Sequence, residues 1–279
     1  MEKRIVSLDD AQVLVVLEEL VGMARVDPAT HAYLAYDMVH QPRRITGAVV
    51  VGRSGVAGYA FLWRGVRSCA IHLWGEVGEE LVARLAESAV DCRAVYIHVH
   101  SGGLLRLAEE AARTLSPCRR YTFADMVVDR RSFRPAPEPR GATARLLDEG
   151  DADELLRLWR ERGEEVDPSV AREVLAESLY IGVFVDNRLV STAAAIVRLR
   201  DAWIVADVYT SPAYRRRGYA TYAVGELTRR ALEAGVEKLA LHVRVDNEAA
   251  LRVYRRLGYR ETARKTWLVC RPRSGDALS

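Results

Sequence analysis

The spacing of apolar and polar positions in the second half of the chain predicts a regular succession of strands and helices. Apolar residues recur at helical spacing in two stretches and alternate with polar residues in three others. Asp186 and Asn187 separate two of the alternating runs, as expected for a tight hairpin turn. The predicted elements are a strand at 143–147, helices at 151–162 and 168–178, and a hairpin of strands at 181–185 and 188–197.

The next stretch predicts a strand, a helix and a second strand parallel to the first. The apolar run Trp203–Tyr209 precedes a helical pattern, and Lys238–Val245 alternates again. A further helix starts at Asp246 or Asn247 and stops at Gly258. In such a β-α-β unit, ligands bind at the carboxyl ends of the strands.

The first half of the chain repeats this order of elements. The segment AVYIHVHSGGLLRLAEEA corresponds to KLALHVRVDNEAALRVYRRL, which indicates an internal repeat of roughly 140 residues. An unrelated α+β domain is the alternative. The predicted elements are helices at 8–24 and 29–39, strands at 48–51, 57–63 and 69–74, a helix at 78–90, a strand at 94–99 and a helix at 103–113.

Domain boundaries follow from composition. With 279 residues and 49% apolar content, the chain is long enough for two globular domains. Three prolines lie in Phe133–Gly141, which favours an extended connector. We therefore predict a first domain at 1–133, a Pro-rich linker at 134–141 and a second domain at 142–279.

Charge and cysteine spacing exclude several classes of function. The net charge of +3 is too small to indicate a nucleic-acid-binding protein. The four cysteines show no C-x-x-C spacing, so we expect reduced, buried thiols rather than disulfides or a zinc site. No signal-peptide layout or long apolar run is present, which predicts a cytoplasmic protein without a membrane partner.

The most informative motif is the loop TSPAYRRRGYA, which follows the strand at Trp203. Gly218 and Ala220 begin a helix, whose first N–H groups and dipole favour a bound phosphate or pyrophosphate. Neither the G-x-x-x-x-G-K-[ST] loop of nucleoside triphosphatases nor the G-x-G-x-x-G loop of dinucleotide-binding enzymes occurs. The alternative is a solvated run of arginines at a helix start.

A second motif separates these alternatives. The loop reads R-x-x-G-x-A, and about thirty residues later the chain reads N-x-x-A-x-x-x-Y-x-x-x-G-Y from Asn247 to Tyr259. The two motifs, in this order, resemble the core of the GNAT N-acetyltransferase superfamily. The resemblance implies an α/β (α+β) fold with two GNAT-like domains, each a mixed, mostly antiparallel central sheet flanked by helices.

The resemblance also implies the cosubstrate and its contacts. Acetyl-CoA would donate an acetyl group to a primary amine, and no metal is expected. Backbone groups of β-strand and loop residues would hold the pantetheine arm and the pyrophosphate, and Asn247 would contact the coenzyme from the following helix. The cofactor-binding residues implied are Val208, Thr210, Arg215, Arg216, Arg217, Gly218, Tyr219, Ala220 and Asn247.

The chemistry suggests two catalytic roles. A thiolate must leave, and the phenol of Tyr254 can protonate it as a general acid. An amine must also lose a proton, for which Asp207 is the first candidate, with His242 or a water relay as alternatives. The first half lacks both motifs and carries Glu76, Glu79 and Glu80 where the loop would be, so it is predicted to be a degenerate copy.

Three further expectations concern partners. A non-catalytic acyl-CoA sensor or protein-binding module would keep the same fold and coenzyme seat. The acceptor amine is not specified, and a homodimer is compatible with the sequence. His72, His98 and His100 lie on neighbouring predicted strands, but no carboxylate or cysteine accompanies them at a spacing typical of a metal site.

Overall fold

The computed structural model describes residues 4–9 and 11–272, which form twelve strands and eight α-helices. The first half contains six strands and four helices. These are β1 (Arg4–Ser7), α1 (Leu17–Val26), α2 (Pro28–His40), β2 (Ile45–Gly52), β3 (Gly55–Arg64), β4 (Cys69–Gly75), α3 (Glu79–Ser88), β5 (Val95–Val99), α4 (Leu105–Ala111) and β6 (Cys118–Asp129).

The second half repeats that order, element for element, which confirms the internal repeat. Its elements are β7 (Ala142–Leu146), α5 (Ala152–Glu161), α6 (Pro168–Glu177), β8 (Leu179–Val185), β9 (Arg188–Arg198), β10 (Ala202–Thr210), α7 (Tyr219–Glu233), β11 (Lys238–Arg244), α8 (Glu248–Arg256) and β12 (Arg260–Cys270).

Side-chain caps explain where several helices begin. The carboxylate of Asp27 accepts a hydrogen bond from the N–H of Thr30, and Pro28 occupies the first turn of α2. Asp167 and Pro168 start α6 in the same way. The predicted helix over 8–24 is shorter than expected: a 3₁₀ segment at Ala11–Val16 precedes α1, and Asp10 lies outside the described residues.

Two compact units make up the described chain, and the last strand of each half crosses between them. The first unit extends to Ala124 and takes in the chain from Ala263 onward, whereas the second comprises Asp125–Thr262. β6 therefore passes from the first unit into the second, and β12 passes from the second into the first. These limits differ from the predicted 1–133 and 142–279, because the sequence pattern did not show which sheet the closing strands would join.

Each unit has a mixed, mostly antiparallel sheet. In the first unit the strand order is β1-β2-β3-β4-β5-β12, and only β4 and β5 in the described pairings are parallel. In the second unit the order is β6-β11-β10-β9-β8-β7, with β10 and β11 parallel as predicted. The hairpin turn between β8 and β9 is confirmed too, with positive φ at Asp186 and Asn187.

The Pro-rich segment belongs to the second unit and packs against α7 and the end of α8 within it. The N–H of Arg134 donates to the carbonyl of Leu257 at 3.0 Å. A Cβ added to Gly225 of α7 would meet the Cβ of Ala136 at 2.7 Å. The segment has no regular secondary structure, as predicted, but the missing side chain of Gly225 lets it lie close along α7.

The expectation of reduced thiols is wrong for this structure. Cys69 is bonded to Cys92 and Cys118 to Cys270, and the described residues include no free cysteine. Sequence spacing could not show these pairs, because their partners are 23 and 152 residues apart and meet only when the first unit's sheet has formed. The second disulfide joins the start of β6 to the end of β12.

Candidate functional site

The parallel strands β10 and β11 separate at their carboxyl ends. The last described pair of residues between them is Val205 and Leu241, although β10 continues to Thr210 and β11 to Arg244. β9 remains beside the outer part of β10, where Thr210 lies opposite Ser191. The edge of β10 that faces away from β9 is therefore left without a strand partner from β11 over its last residues.

A β-bulge accompanies this separation. Ala206 lies opposite Ala194 and Tyr209 opposite Thr192, so β10 uses two residues, Asp207 and Val208, where β9 uses one. Asp207 has a left-handed backbone with φ of 49°. Such bulges bend a strand and increase its local twist, which accounts for the divergence of β10 from β11.

The corresponding strands of the first unit stay together. β4 pairs with β5 from Cys69 to Leu73, and the N–H of His100 then donates to the carbonyl of Leu73 at 2.9 Å. β4 pairs with β3 over Gly58–Arg64 without a register shift. Within the part of the chain that the structure describes, β4 has no bulge here, and β4 and β5 stay paired to their carboxyl ends.

The predicted phosphate loop follows β10 directly. Arg216 and Gly218 have left-handed backbones, with φ of 65° and 87°, and Gly218 is the N-cap of α7. No described backbone hydrogen bond uses the N–H groups of Arg216, Arg217 or Gly218, and those of Tyr219 and Ala220 belong to the first turn, where a helix offers no acceptor. This turn contains no acidic residue, so it can accept an anion.

The first unit differs at this point too. Its helix α3 begins with Glu79 and Glu80, whose charges already compensate the helix dipole. The N–H of Glu76 donates to the carbonyl of Ala57 at 2.9 Å, and the N–H of Gly75 donates to Ser101 Oγ at 3.0 Å. At this position of the first unit, the backbone N–H groups are therefore either already hydrogen-bonded or next to glutamate side chains that would repel an anion.

Arginine side chains and an open pocket lie beside the loop that follows β10. Arg215 donates through Nε to the carbonyl of Thr210 at 3.2 Å, and its guanidinium lies 5.9 Å from the ring centre of Tyr209. The pocket has a volume of about 540 Å³. It is lined by Glu161, Arg188, Ser211, Pro212, Ala213, Tyr214 and Arg217.

Asn247 caps α8. Its side-chain oxygen accepts a hydrogen bond from the N–H of Ala250 at 3.2 Å, and the residue is exposed. The amide nitrogen of this side chain is a donor that the cap does not use. The structure thus gives Asn247 a structural role, and its predicted contact with a coenzyme stays a prediction.

Tyr254 lies on the buried face of α8. It is 7% exposed, and its ring lies 5.9 Å from that of Tyr259. Burial raises the pKa of the Tyr254 phenol above its usual value of 10. The hydroxyl therefore remains protonated at neutral pH, as a proton donor requires.

Asp207, the first candidate base, is held by three donors. Oδ1 accepts from Arg162 at 2.5 Å, and Oδ2 accepts from Tyr180 at 2.5 Å and from Trp159 Nε1 at 3.2 Å. The nearby carboxylates of Asp207 and Glu164 raise the pKa of Arg162 against the opposing effect of its burial. Asp207 is thus a charge-paired side chain anchored to α5 and β8.

His242, the second candidate, lies one residue beyond the last paired position of β11. Its Nδ1 is 2.7 Å from Oδ1 of Asp125 on β6, and both side chains are buried. A carboxylate in this position fixes the orientation of the ring. Sequence reasoning missed Asp125, because it lies 117 residues away in the other half of the chain.

Three histidines of the first unit, His72, His98 and His100, are buried together. One ring nitrogen from each lies within 4.8 Å of those of the other two, and His72 Nδ1 is 3.1 Å from His100 Nε2. Nζ of Lys265 lies 3.4 Å from His100 Nδ1. Since a protonated lysine only donates, this arrangement fits a hydrogen-bonded chain from Lys265 through His100 to His72.

Comparison with known proteins agrees with this geometry. Residues 148–259 match the family model described as the acetyltransferase (GNAT) family. The match contains the bulged strand β10, the loop predicted to bind phosphate and Tyr254. Over these residues the chain resembles the GNAT family.

Curated relatives resemble only part of the chain. A segment of 50 residues is 46% identical to the uncharacterized N-acetyltransferase YdgE of Bacillus subtilis, covering 18% of this chain and 32% of the relative. A second B. subtilis protein, the uncharacterized N-acetyltransferase YycN, is 41% identical over 49 residues. The matched segments thus span about a third of the length of these relatives.

Solved structures resemble the chain over its full length. A tandem GNAT protein from the clavulanic acid biosynthesis pathway superposes with a TM-score of 0.63 at 15% identity, covering 99% of this chain and 100% of the other. A GCN5-related N-acetyltransferase from Sphaerobacter thermophilus gives 0.63 at 19% identity, covering 99% and 97%. Both halves of the chain therefore have a GNAT-like fold, as predicted.

The two units differ mainly at the carboxyl ends of their parallel strands, where β10 and β11 diverge and β4 and β5 stay paired. Motif reading identified the loop and Tyr254, but it did not identify the bulge or the donors around Asp207.

Within the described ranges, every helix is too short or too polar to cross a lipid bilayer.

Proposed function

We propose that the second unit transfers an acetyl group from acetyl-CoA to a primary amine, and that the first unit is not catalytic. The opening between β10 and β11, which leads directly into the phosphate loop, carries this proposal. The closed strands and acidic helix start of the first unit provide an internal contrast within the same chain.

The open edge of β10 fits the pantetheine arm. The Ser211 N–H and the Tyr209 carbonyl point towards β9. The backbone groups of Thr210 therefore point to the opposite edge, where its carbonyl accepts from Arg215 Nε at 3.2 Å. The amides of a pantetheine arm can pair with Val208 and Thr210 as an added strand would. The pyrophosphate then reaches the N–H groups between Arg216 and Ala220, with the exposed arginines adding charge.

The reaction is a direct transfer. The amine nitrogen forms a bond to the thioester carbonyl carbon, giving a tetrahedral oxyanion that a backbone N–H near Thr210 stabilises. The C–S bond then breaks, and Tyr254 donates its proton to the departing thiolate. The products are an amide and free coenzyme A.

The proton of the amine goes to a base, and the contacts favour His242 over Asp207. Asp207 already accepts three hydrogen bonds, one of them from a guanidinium, so both of its carboxylate oxygens are engaged by protein donors. His242 has the carboxylate of Asp125 behind its ring. That carboxylate orients the imidazole, whereas the carboxylate of Asp207 is itself held by the guanidinium of Arg162.

A thiol-release assay tests the function. Wild-type protein with acetyl-CoA and a panel of primary amines should release coenzyme A, detected with a thiol reagent. Tyr254→Phe should lower kcat by about 100-fold or more, since a general acid contributes about 10²–10⁴. Affinity for acetyl-CoA, measured by calorimetry, should stay within about twofold.

Tyr259→Phe is the matched control, because this neighbouring buried tyrosine bonds to Thr228 Oγ1 at 2.9 Å and lies outside the proposed chemistry. Its kcat should remain near that of the wild type. Equal turnover in Tyr254→Phe and the wild type would reject the acid role. Tight binding of acetyl-CoA with no release across the panel would favour the alternative of a non-catalytic sensor.

A further inference from the structure

The backbone conformation at the bulge of β10 is energetically unfavourable, so contacts from neighbouring residues must stabilise it. Asp207 adopts φ of 49°, in the left-handed region that non-glycine residues rarely occupy. This conformation sits at the point where β10 leaves β11, immediately before Val208. The opening thus depends on a strained residue that the surrounding structure must hold in place.

Three side chains hold Asp207 in place. Trp159 lies on α5, Arg162 directly follows α5, and Tyr180 lies on β8; all three donate to the carboxylate of Asp207. Trp159 and Tyr180 are 1% and 2% exposed, so these donors are fixed by the core. The backbone of Asp207 is anchored as well, because its carbonyl accepts from Thr192 Oγ1 at 3.2 Å.

The arginine of this cluster extends the support to the next residue of the edge. Arg162 is paired with Glu164 at 2.6 Å, and its guanidinium lies 5.5 Å from the ring centre of Tyr209. The side chain of Tyr209 is thus fixed between Val208 and Thr210, the two residues whose backbone would meet the pantetheine arm.

We propose that Asp207 is a positioning residue: its carboxylate, bound by Trp159, Arg162 and Tyr180, holds the bulge and so keeps the β10 edge open for the pantetheine arm. The inference rests on the proposed function and changes the role of Asp207 from base to support. If Asp207 positions the strand edge, replacing it should weaken coenzyme binding. If it is the base, replacing it should lower turnover and leave coenzyme affinity unchanged.

Calorimetry with two ligands separates these roles. Acetyl-CoA engages both the β10 edge and the phosphate loop, whereas 3′-phospho-ADP, which lacks the pantetheine arm, engages the loop alone. Asp207→Ala should weaken acetyl-CoA binding by about 10- to 100-fold and change 3′-phospho-ADP binding by less than about threefold. Asp207→Asn, which tolerates the left-handed backbone and keeps one acceptor oxygen, should fall between Asp207→Ala and the wild type.

Asp151→Ala is the matched control. Its carboxylate accepts two hydrogen bonds of 2.6 Å from Arg145, and its side chain is 10% exposed, as is that of Asp207. This variant loses a comparable ion pair in the same unit and should bind both ligands as the wild type does. If Asp207→Ala does not fold, Asp207→Asn and Asp207→Gly, which removes the backbone strain, carry the test.

Two results would overturn the inference. One is wild-type affinity of Asp207→Ala for acetyl-CoA, and the other is an equal loss of affinity for both ligands. A wild-type protein that binds neither ligand would instead refute the proposed function itself, which distinguishes the two failures.

Discussion

Replacing Gly218 by glutamate places a negative charge where the structure predicts a pyrophosphate. Gly218 is the N-cap of α7, and a Cβ built there meets nothing closer than Pro139 Cγ at 3.9 Å. The substitution therefore causes no clash. Its φ of 87° costs a non-glycine residue about 1–2 kcal/mol of folding free energy.

The effect on binding comes from charge. A carboxylate about 5 Å from a phosphate oxygen, at an effective dielectric constant between about 20 and 80, repels it by about 1–3 kcal/mol for each pair of unit charges. This corresponds to roughly 5- to 150-fold weaker binding of acetyl-CoA. Because the site is exposed, the difference should shrink as salt is added.

Gly235→Glu is a close control. Gly235 follows the opposite end of α7, has φ of 95° and also has no atom within 4 Å of a built Cβ. It therefore takes the same backbone strain and the same charge change, away from the loop. Calorimetry at low and high salt should show weakened binding only for Gly218→Glu; equal affinities of the two variants would refute the assignment of the pyrophosphate to this loop.

Two further predictions concern stability. Loss of the Cys118–Cys270 disulfide, which joins residues 152 apart, should cost about 5 kcal/mol, and loss of Cys69–Cys92, 23 apart, about 3 kcal/mol. Denaturant unfolding of two variants, each with one cysteine pair replaced by serines, tests this order. If the native protein under oxidising conditions has four thiols that react with a thiol reagent, the disulfides are absent and the prediction is contradicted. Burial lowers the pKa of His31 to about 4, so the unfolded chain binds more protons between about pH 4 and 6.5. The free energy of unfolding should therefore fall as pH decreases through that range, by about 3 kcal/mol more in the wild type than in His31→Gln; parallel pH profiles would contradict this.

Local patterns predicted most of the fold. The hairpin at Asp186 and Asn187, the parallel strands around α7 and the stop at Gly258 all follow from signals within a few residues of one another. Gly258 illustrates the physical reason: its φ is 90°, and a Cβ there would lie 1.8 Å from the carbonyl oxygen of Ser132. Only glycine fits both requirements.

Features that depend on distant parts of the chain were not predictable in this way. β6 and β12 each leave the unit in which they begin, so the partners of Cys118 and His242 come from the opposite half of the sequence. The bulge at Asp207 is held by residues of α5 and β8, and no local signal marks an aspartate for a left-handed backbone within a strand. The candidate site was thus predicted in its loop and its tyrosine, but not in its supports.

The stoichiometry of acetyl-CoA binding tests the central claim most directly. Calorimetric titration of the intact chain should give one coenzyme per chain, because among the described residues the second unit alone combines an open strand edge with a helix start that carries no acidic residue. A stoichiometry of zero would contradict the proposed function. Two coenzymes per chain would contradict the assignment of the first unit as a closed, non-catalytic copy.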